Sequence, residues 1–308
     1  MPERADRIVV VGAGVIGLSC ALRLLEAGHR VDVLARDLPL ETTSSVAAAI
    51  WSPYLAFPQD RVSAWGRGTY QELARLADAG VDSIAMLRGA ELLRARTADP
   101  WWAEAVPALQ RIVPPTPYAD GWSFRAPVID MPRYLAWLAG RVLEAGGTIT
   151  RMALARLPEA PLVVNCSGLG SRKLADDPAI TPVRGQVVVI EQIGLEEWWL
   201  AEAGPAGTAP TYVIPRRHEI VLGGTADVGD WSRTPSSRTA EDILRRTAEL
   251  VPAVEGARIL RHKVGLRPAR PTIRLERVGD LIHCYGHGGS GVTLSWGCAD
   301  EVAGLVEN

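Results

Sequence analysis

The stretch "VVVGAGVIGLS", residues 9–19, sets glycines at 12, 14 and 17 between an apolar run and a helical pattern. No other feature narrows the fold as far. In this spacing the first glycine permits a tight turn, the second lets the backbone approach a pyrophosphate, and the third lets helix and strand pack closely. "RIVVV" before it reads as a buried strand, and "VIGLSCALRLLEAG" after it has helical spacing that stops at Gly28. "RVDVLARD" then alternates as a second strand, so the unit is β-α-β with parallel strands. The helix start offers free N–H groups and a positive dipole end to phosphates. An acid about 20 residues on should take ribose hydroxyls, and Asp37 stands there, after Arg36. FAD and NAD share this fingerprint, which does not choose between them.

Composition closes off other classes. With 308 residues, 47% hydrophobic and 22% charged, the chain reads as globular, with one large or two modest domains. A formal net charge of -2 gives no pull towards nucleic acid or anionic lipid. Cys20, Cys166, Cys284 and Cys298 form no C-x-x-C pair, which argues against a zinc knuckle and for buried thiols, with no metal. Glycines interrupt the N-terminal apolar run, so it reads as strand and turn rather than signal peptide. No membrane-spanning stretch is present, "LVEN" is no address tag, and a cytoplasmic location follows by default.

Along the chain, residues 60–98 read as helical and 100–128 as broken by Pro and Trp. A helix begins near Asp130 as N-cap and stops at a glycine pair; "TITRMAL" and "PLVVNCSGLG" read as strands. From Arg184 short β segments dominate, with one helix at about 240–250. The tail reads strand, glycine-rich turn, helix, with Gly288, Gly289 and Gly291 before a helix from about Val292. The expected fold class is α/β: a Rossmann-like domain from discontinuous segments 1–55, 130–182 and 267–308, and a substrate domain, mostly antiparallel, from 56–129 and 183–266.

"KVGLRPARPTIRLE", residues 263–276, cannot be helical, because Pro268 and Pro271 remove donors and extend their neighbours. In an extended chain one face carries Leu266, Pro268, Arg270, Thr272, Arg274 and Glu276, a solvated mixture. The other carries Arg267 with Ala269, Pro271, Ile273 and Leu275. A guanidinium among apolar neighbours needs an anionic partner.

These stretches, with "TTSSVAAAIWSPY", "VVNCSG", "RGQ", "TYVIP", "LGGTADVGDW" and "YGHGGSGVTLSWGCA", resemble the D-amino acid oxidase family of FAD enzymes, in the family's order and over nearly the whole chain. The resemblance implies FAD as cofactor and oxidative deamination of a D-amino acid, with hydride transfer from Cα to flavin N5. Dioxygen would be the acceptor, and hydrogen peroxide, ammonia and a 2-oxo acid the products. It assigns Arg267 and Tyr212 to the substrate carboxylate and the Gly289 carbonyl to the amine. It lines FAD with Gly12, Ala13, Gly14, Val15, Ile16, Gly17, Arg36, Asp37, Thr43, Ser44, Ala48, Ala49, Ile50, Ala153, Ser167, Gly288, Gly289, Ser290, Gly291, Val292 and Thr293. His287 is read as supporting the loop. A small-molecule substrate is implied, with a homodimer compatible and no nucleic acid or membrane partner.

Two departures matter. The family's mammalian-type lid tyrosine falls at Thr208, so lid behaviour does not carry over. Members preferring acidic D-amino acids carry an arginine after "GGT", where this chain has Ala226. Ile50, Ser52, Tyr54 and Ile214 would line the side-chain pocket, which implies neutral and apolar D-amino acids. Alternatives are a glycine or N-methylglycine oxidase of the same superfamily, a D-aspartate oxidase, an NAD-dependent dehydrogenase, and a nucleotide-binding regulator without catalysis.

Overall fold

The computed structural model describes residues 7–53, 56–202 and 210–307. At one end of its sheet the strands are parallel, in the order β6 (Thr148–Arg151), β2 (Arg30–Ala35), β1 (Arg7–Val11), β7 (Leu162–Asn165) and β14 (Leu281–His287). The β-α-β unit is present as read: β1 leads through α1 (Val15–Glu26) to β2 in parallel register. Gly12, at φ 118°, makes the turn into α1. Gly17 packs α1 on β1 so closely that an added Cβ would lie 1.9 Å from the Gly12 carbonyl oxygen.

The other end is mostly antiparallel. It contains β8 (Thr181–Glu191), β11 (Glu219–Gly223), β10 (Thr211–Pro215), β9 (Trp198–Ala201), β3 (Ile84–Leu93), β5 (Asp120–Ile129) and β4 (Gln110–Ile112), with β12 (Asp227–Val228) paired to β8 off this path. Only β3 and β9 run parallel among these pairs. β13 (Ile259–Val278) joins the ends, pairing β8 through its first half and β14 through its second. The register shifts between Ala269 and Arg274, around Pro271, a residue with no N–H for a ladder. The strands thus form one continuous path rather than two separate sheets.

Three expectations need correction. Residues 60–98 are not one helix: α2 (Gln59–Asp78) ends before Gly80, at φ 82°, and β3 follows. β3 is rich in helix-forming residues, but it is paired along its whole length with β5. Gly89 admits the Trp198 carbonyl to 2.1 Å from where a Cβ would sit, so tertiary pairing overrides propensity. The alternation of residues 263–276 holds for Arg267, Ile273 and Leu275, but Leu266 is buried and Arg270 pairs with Asp177 at 2.9 Å. The change of partner from β8 to β14, with its register shift, breaks strict alternation along β13. Asp130 occupies the N-cap position of α3 (Met131–Glu144) without a side-chain hydrogen bond to the helix.

α6 (Gly291–Glu307) is aimed by its packing. Trp296 Nε1 donates to the Tyr134 hydroxyl at 2.8 Å, and the Trp296 and Gly297 N–H groups both donate to Thr69 Oγ1 of α2. A Cβ at Gly297 would lie 2.3 Å from the Trp65 carbonyl oxygen. Gly297→Ala should therefore destabilise the holoprotein by about 1–3 kcal/mol through overpacking. A thermal melt should show a fall of several degrees; an unchanged midpoint would contradict this helix contact.

Candidate functional site

Two cavities, of about 470 and 880 Å³, share Thr43 and Ser44 as a common wall and form one groove across the joint of the sheet. The larger runs past Gly12, Ala13, Gly14, Arg36, Asp37, Ala153 and Ser167. The smaller is lined by Val15, Ile16, Ala48, Ala49, Ile50, Ser52, Gly288, Gly289, Gly291 and Val292, and by Arg267, Tyr212 and Ala226. Residues far apart in sequence thus meet as the notion of one long binding groove requires.

The floor at the joint is made of backbone. A Cβ at Gly12 would lie 2.4 Å from the Cys166 carbonyl oxygen, so no side chain fits there. Ser44 Oγ accepts from the Val15 N–H at 3.0 Å, so a hydroxyl from a distant turn caps the start of α1. Asp37 is held ionised chiefly by its hydrogen bond from Arg36, at 2.6 Å, which keeps its carboxyl below the usual range. A carboxylate has about four acceptor positions, so it can still accept from hydroxyls. At the far side, the first N–H groups of α6 have no intrahelical acceptor and face the glycine-rich turn.

Some predicted residues sit elsewhere. Gly17 serves packing and lines neither cavity. The Ser290 and Thr293 side chains are buried, and Thr293 Oγ1 donates to the Ser52 carbonyl at 3.0 Å. They can offer only backbone groups. Ile214 is wholly buried, in a core cluster with Val187, Trp198 and Val221, and does not line the pocket. Alternation aims it at the sheet face of Tyr212, but the core fills that space. Tyr54 and Thr208 lie outside the described residues. His287 is itself a cavity wall, with a buried Nε2 that has no partner among the described residues. All four cysteines are buried as expected. They converge beside this loop: the thiols of Cys20, Cys166 and Cys284 lie within 4.8 Å of one another, as do the ligand atoms of Cys284, His287 and Cys298.

Arg267 projects from β13 into the smaller cavity. Its Nη1 donates to the Thr225 carbonyl at 2.8 Å, and its guanidinium lies where a Cβ at Gly185 would be, 2.4 Å from Nη2. Tyr212 is its hydrogen-bonded neighbour, with its ring over the bare backbone of Gly223 and Gly224. No carboxylate among the described residues pairs with Arg267. The "RGQ" motif explains why Thr225 stands there. Arg184 holds the Ser232 and Thr234 carbonyls at 3.1 and 2.8 Å, and Gln186 exchanges hydrogen bonds with the Ser236 backbone. Together they fix the segment that follows Thr225.

Three residues escaped the sequence reading. Arg216 is buried and donates to the Ala47 and Ala48 carbonyls at 2.6 and 3.3 Å, anchoring the wall that carries Ala48 to Ile50. Glu91 and Glu202 line the cavity end beyond Tyr212. Only strand register brings them there, and no local pattern signals it.

A model of the family described as "FAD dependent oxidoreductase" matches residues 7–305. A D-amino-acid oxidase of Rubrobacter xylanophilus is 48% identical over 315 residues, covering 97% of this chain and 95% of that protein. A D-amino-acid oxidase of Streptomyces coelicolor is 44% identical, covering 99% and 98%. Human D-aspartate oxidase is 36% identical, covering 97% and 94%. Among solved structures, glycine oxidase from Geobacillus kaustophilus superposes with a TM-score of 0.82 at 20% identity, covering 98% of this chain and 95% of its own; this likeness speaks for the fold.

Burial raises the Tyr212 hydroxyl above the ordinary phenol value of 10.0, and Arg267 only partly offsets this. A raised value means the folded state holds the proton, so the neutral hydroxyl persists below pH 10 and is lost only as pH rises beyond it. The phenolate absorbance missing from Tyr212→Phe should belong to a step above pH 10 in the wild type. A step below pH 10 would contradict the burial.

Proposed function

This chain belongs to the FAD dependent oxidoreductase family, and from that premise we propose how its residues carry the reaction. It is an FAD-dependent enzyme that oxidatively deaminates D-amino acids. The observation that carries the site assignment is Arg267: a guanidinium inside the cavity, beside a tyrosine hydroxyl, with no carboxylate among the described residues to pair with.

The groove fits FAD. It is continuous from Asp37 to the start of α6, and Gly12 leaves a cradle that a Cβ would fill. Asp37 would take ribose hydroxyls and the start of α1 the pyrophosphate. Gly288 to Thr293 would offer N–H groups and a positive dipole end to negative charge on the ring. We assign this unit to 1–55, 130–182 and 267–308, and the substrate unit to 56–129 and 183–266. When bound, FAD would supply the acceptor for the hydride of the substrate α-carbon and the route of its electrons to dioxygen, with hydrogen peroxide as product.

The protein's part is orientation. A planar guanidinium makes two parallel charge-assisted bonds to a carboxylate, fixing its direction as well as its place. The Tyr212 hydroxyl donates a further bond, and the Gly289 carbonyl accepts an amine hydrogen. No side-chain base is needed once the α-hydrogen is aimed. The imino acid leaves and hydrolyses to a 2-oxo acid and ammonia.

Ala226 lines the cavity where acid-preferring members carry an arginine, and Ile50 and Ser52 line it without adding a cation. Neutral D-amino acids are therefore preferred over D-aspartate. Peroxide release over a panel of D-amino acids, their L-enantiomers, glycine and N-methylglycine tests this. Faster turnover of D-aspartate than of D-alanine, D-valine or D-methionine would overturn the preference. Arg267→Leu should keep FAD and raise KM about a hundredfold or more, because each bond to a charged group contributes about 1.5–3 kcal/mol. A wild-type KM in that variant removes Arg267 from the role.

A further inference from the structure

The substrate cavity holds a charged side chain that the reaction above leaves without a task. Glu91 of β3 lines it together with Leu93, Leu200 and Glu202. Strand register fixes its place: Glu91 lies opposite Leu200, Leu200 opposite Tyr212, and Tyr212 opposite Gly223. Directly opposed residues share a face of the sheet, so Glu91, Leu200 and Tyr212 stand in one row along the cavity wall. The Tyr212 side chain leans away from Glu91, since a Cβ at Gly223 would lie 2.4 Å from the phenolic oxygen. With strands about 4.8 Å apart, the hydroxyl and the Glu91 α-carbon are roughly three spacings, ~14 Å, apart. Part of that span is taken by the glutamate side chain. The rest matches a long amino acid lying along Leu200, acid end at the clamp and far end at Glu91.

Among the described residues, the Glu91 carboxyl meets neither a donor nor a cation. Its charged neighbour is Glu202, another acid, which itself accepts from the Arg94 N–H at 2.9 Å. Burial first, and Glu202 second, push Glu91 up to about 7. A lone carboxyl kept from water is unfavourable in its ionised form, and a cation brought beside it relieves that penalty. The apolar stem of such a side chain would lie against Leu93 and Leu200 while its head reaches the acid.

We propose that Glu91 is a specificity-determining residue that receives the cationic head of a basic D-amino acid, D-arginine or D-lysine, in the same site that takes neutral substrates. The proposal rests on the D-amino acid reading given above. Neutral side chains bring Glu91 no counter-ion, whereas acidic ones add a third carboxyl beside Glu91 and Glu202.

Steady-state kcat/KM for D-arginine, D-lysine, D-valine and D-citrulline, the uncharged isostere of D-arginine, tests it on wild-type, Glu91→Gln and Glu91→Leu holoenzymes. Wild type should favour D-arginine over D-citrulline by about tenfold or more, the scale of one bond to a charged group. In Glu91→Gln that preference should vanish, and the D-arginine to D-valine ratio should fall about tenfold through KM. A wild type that oxidises D-valine but does not prefer D-arginine over D-citrulline overturns the proposal, even if neither variant folds. So does a preference that survives Glu91→Gln. Absence of D-valine turnover would instead overturn the underlying reading, and this one with it.

Discussion

A guanidinium that meets no counter-ion among the described residues organises this molecule. An arginine withdrawn into a cavity is stable only if its donors find acceptors. Arg267 is given one by Thr225, a hydrogen-bonded neighbour in Tyr212, and an open fork. Much of the surrounding structure keeps that arrangement from collapsing. Gly185, Gly223 and Gly224 clear the space that the guanidinium and the phenol ring occupy. Arg184 and Gln186 hold the segment behind Thr225, and Arg216 holds the facing wall. Those arginines are neutralised or bonded to carbonyls; Arg267 is the one whose fork faces the cavity.

The second constraint is directional. Two helices begin at the groove: α1, from the glycine turn, and α6, from the loop of His287 to Ser290. Each brings N–H groups and a positive dipole end to a place where a dinucleotide would carry negative charge. The close contact of α6 with α2 at Gly297 fixes that aim from some distance, which links core packing to the chemistry of the site. The joint of the sheet at β13 then sets the substrate clamp beside the cofactor groove, because one strand belongs to both halves.

What the sequence disclosed follows the range of the forces involved. The glycine turn, α1, β2 and Asp37 were legible because each is a local steric or spacing demand. Alternation along a single extended run marked Arg267 as a guanidinium in need of an anion, and the family resemblance supplied the role proposed for it. Local reasoning failed at β3, where helix-forming residues are held as a strand by β5, and at Leu266 and Ile214, whose burial depends on neighbouring strands. Arg216 and Glu91 were invisible for the same reason: carbonyls of a distant loop define the one, and register across three strands the other. No pattern within a ten-residue window carries that information.

The central claim is that the acid group of the substrate, rather than its amine or side chain, is what the site grips. Comparing D-valine with D-valinamide on the wild-type holoenzyme isolates that group without altering the protein. The amide keeps the α-hydrogen, the amine and the side chain, and exchanges one carboxylate oxygen, with its negative charge, for an NH2 that can only donate. The account predicts that kcat/KM for the amide falls about a hundredfold or more, the combined scale of two charge-assisted bonds. Comparable kcat/KM for acid and amide would contradict it.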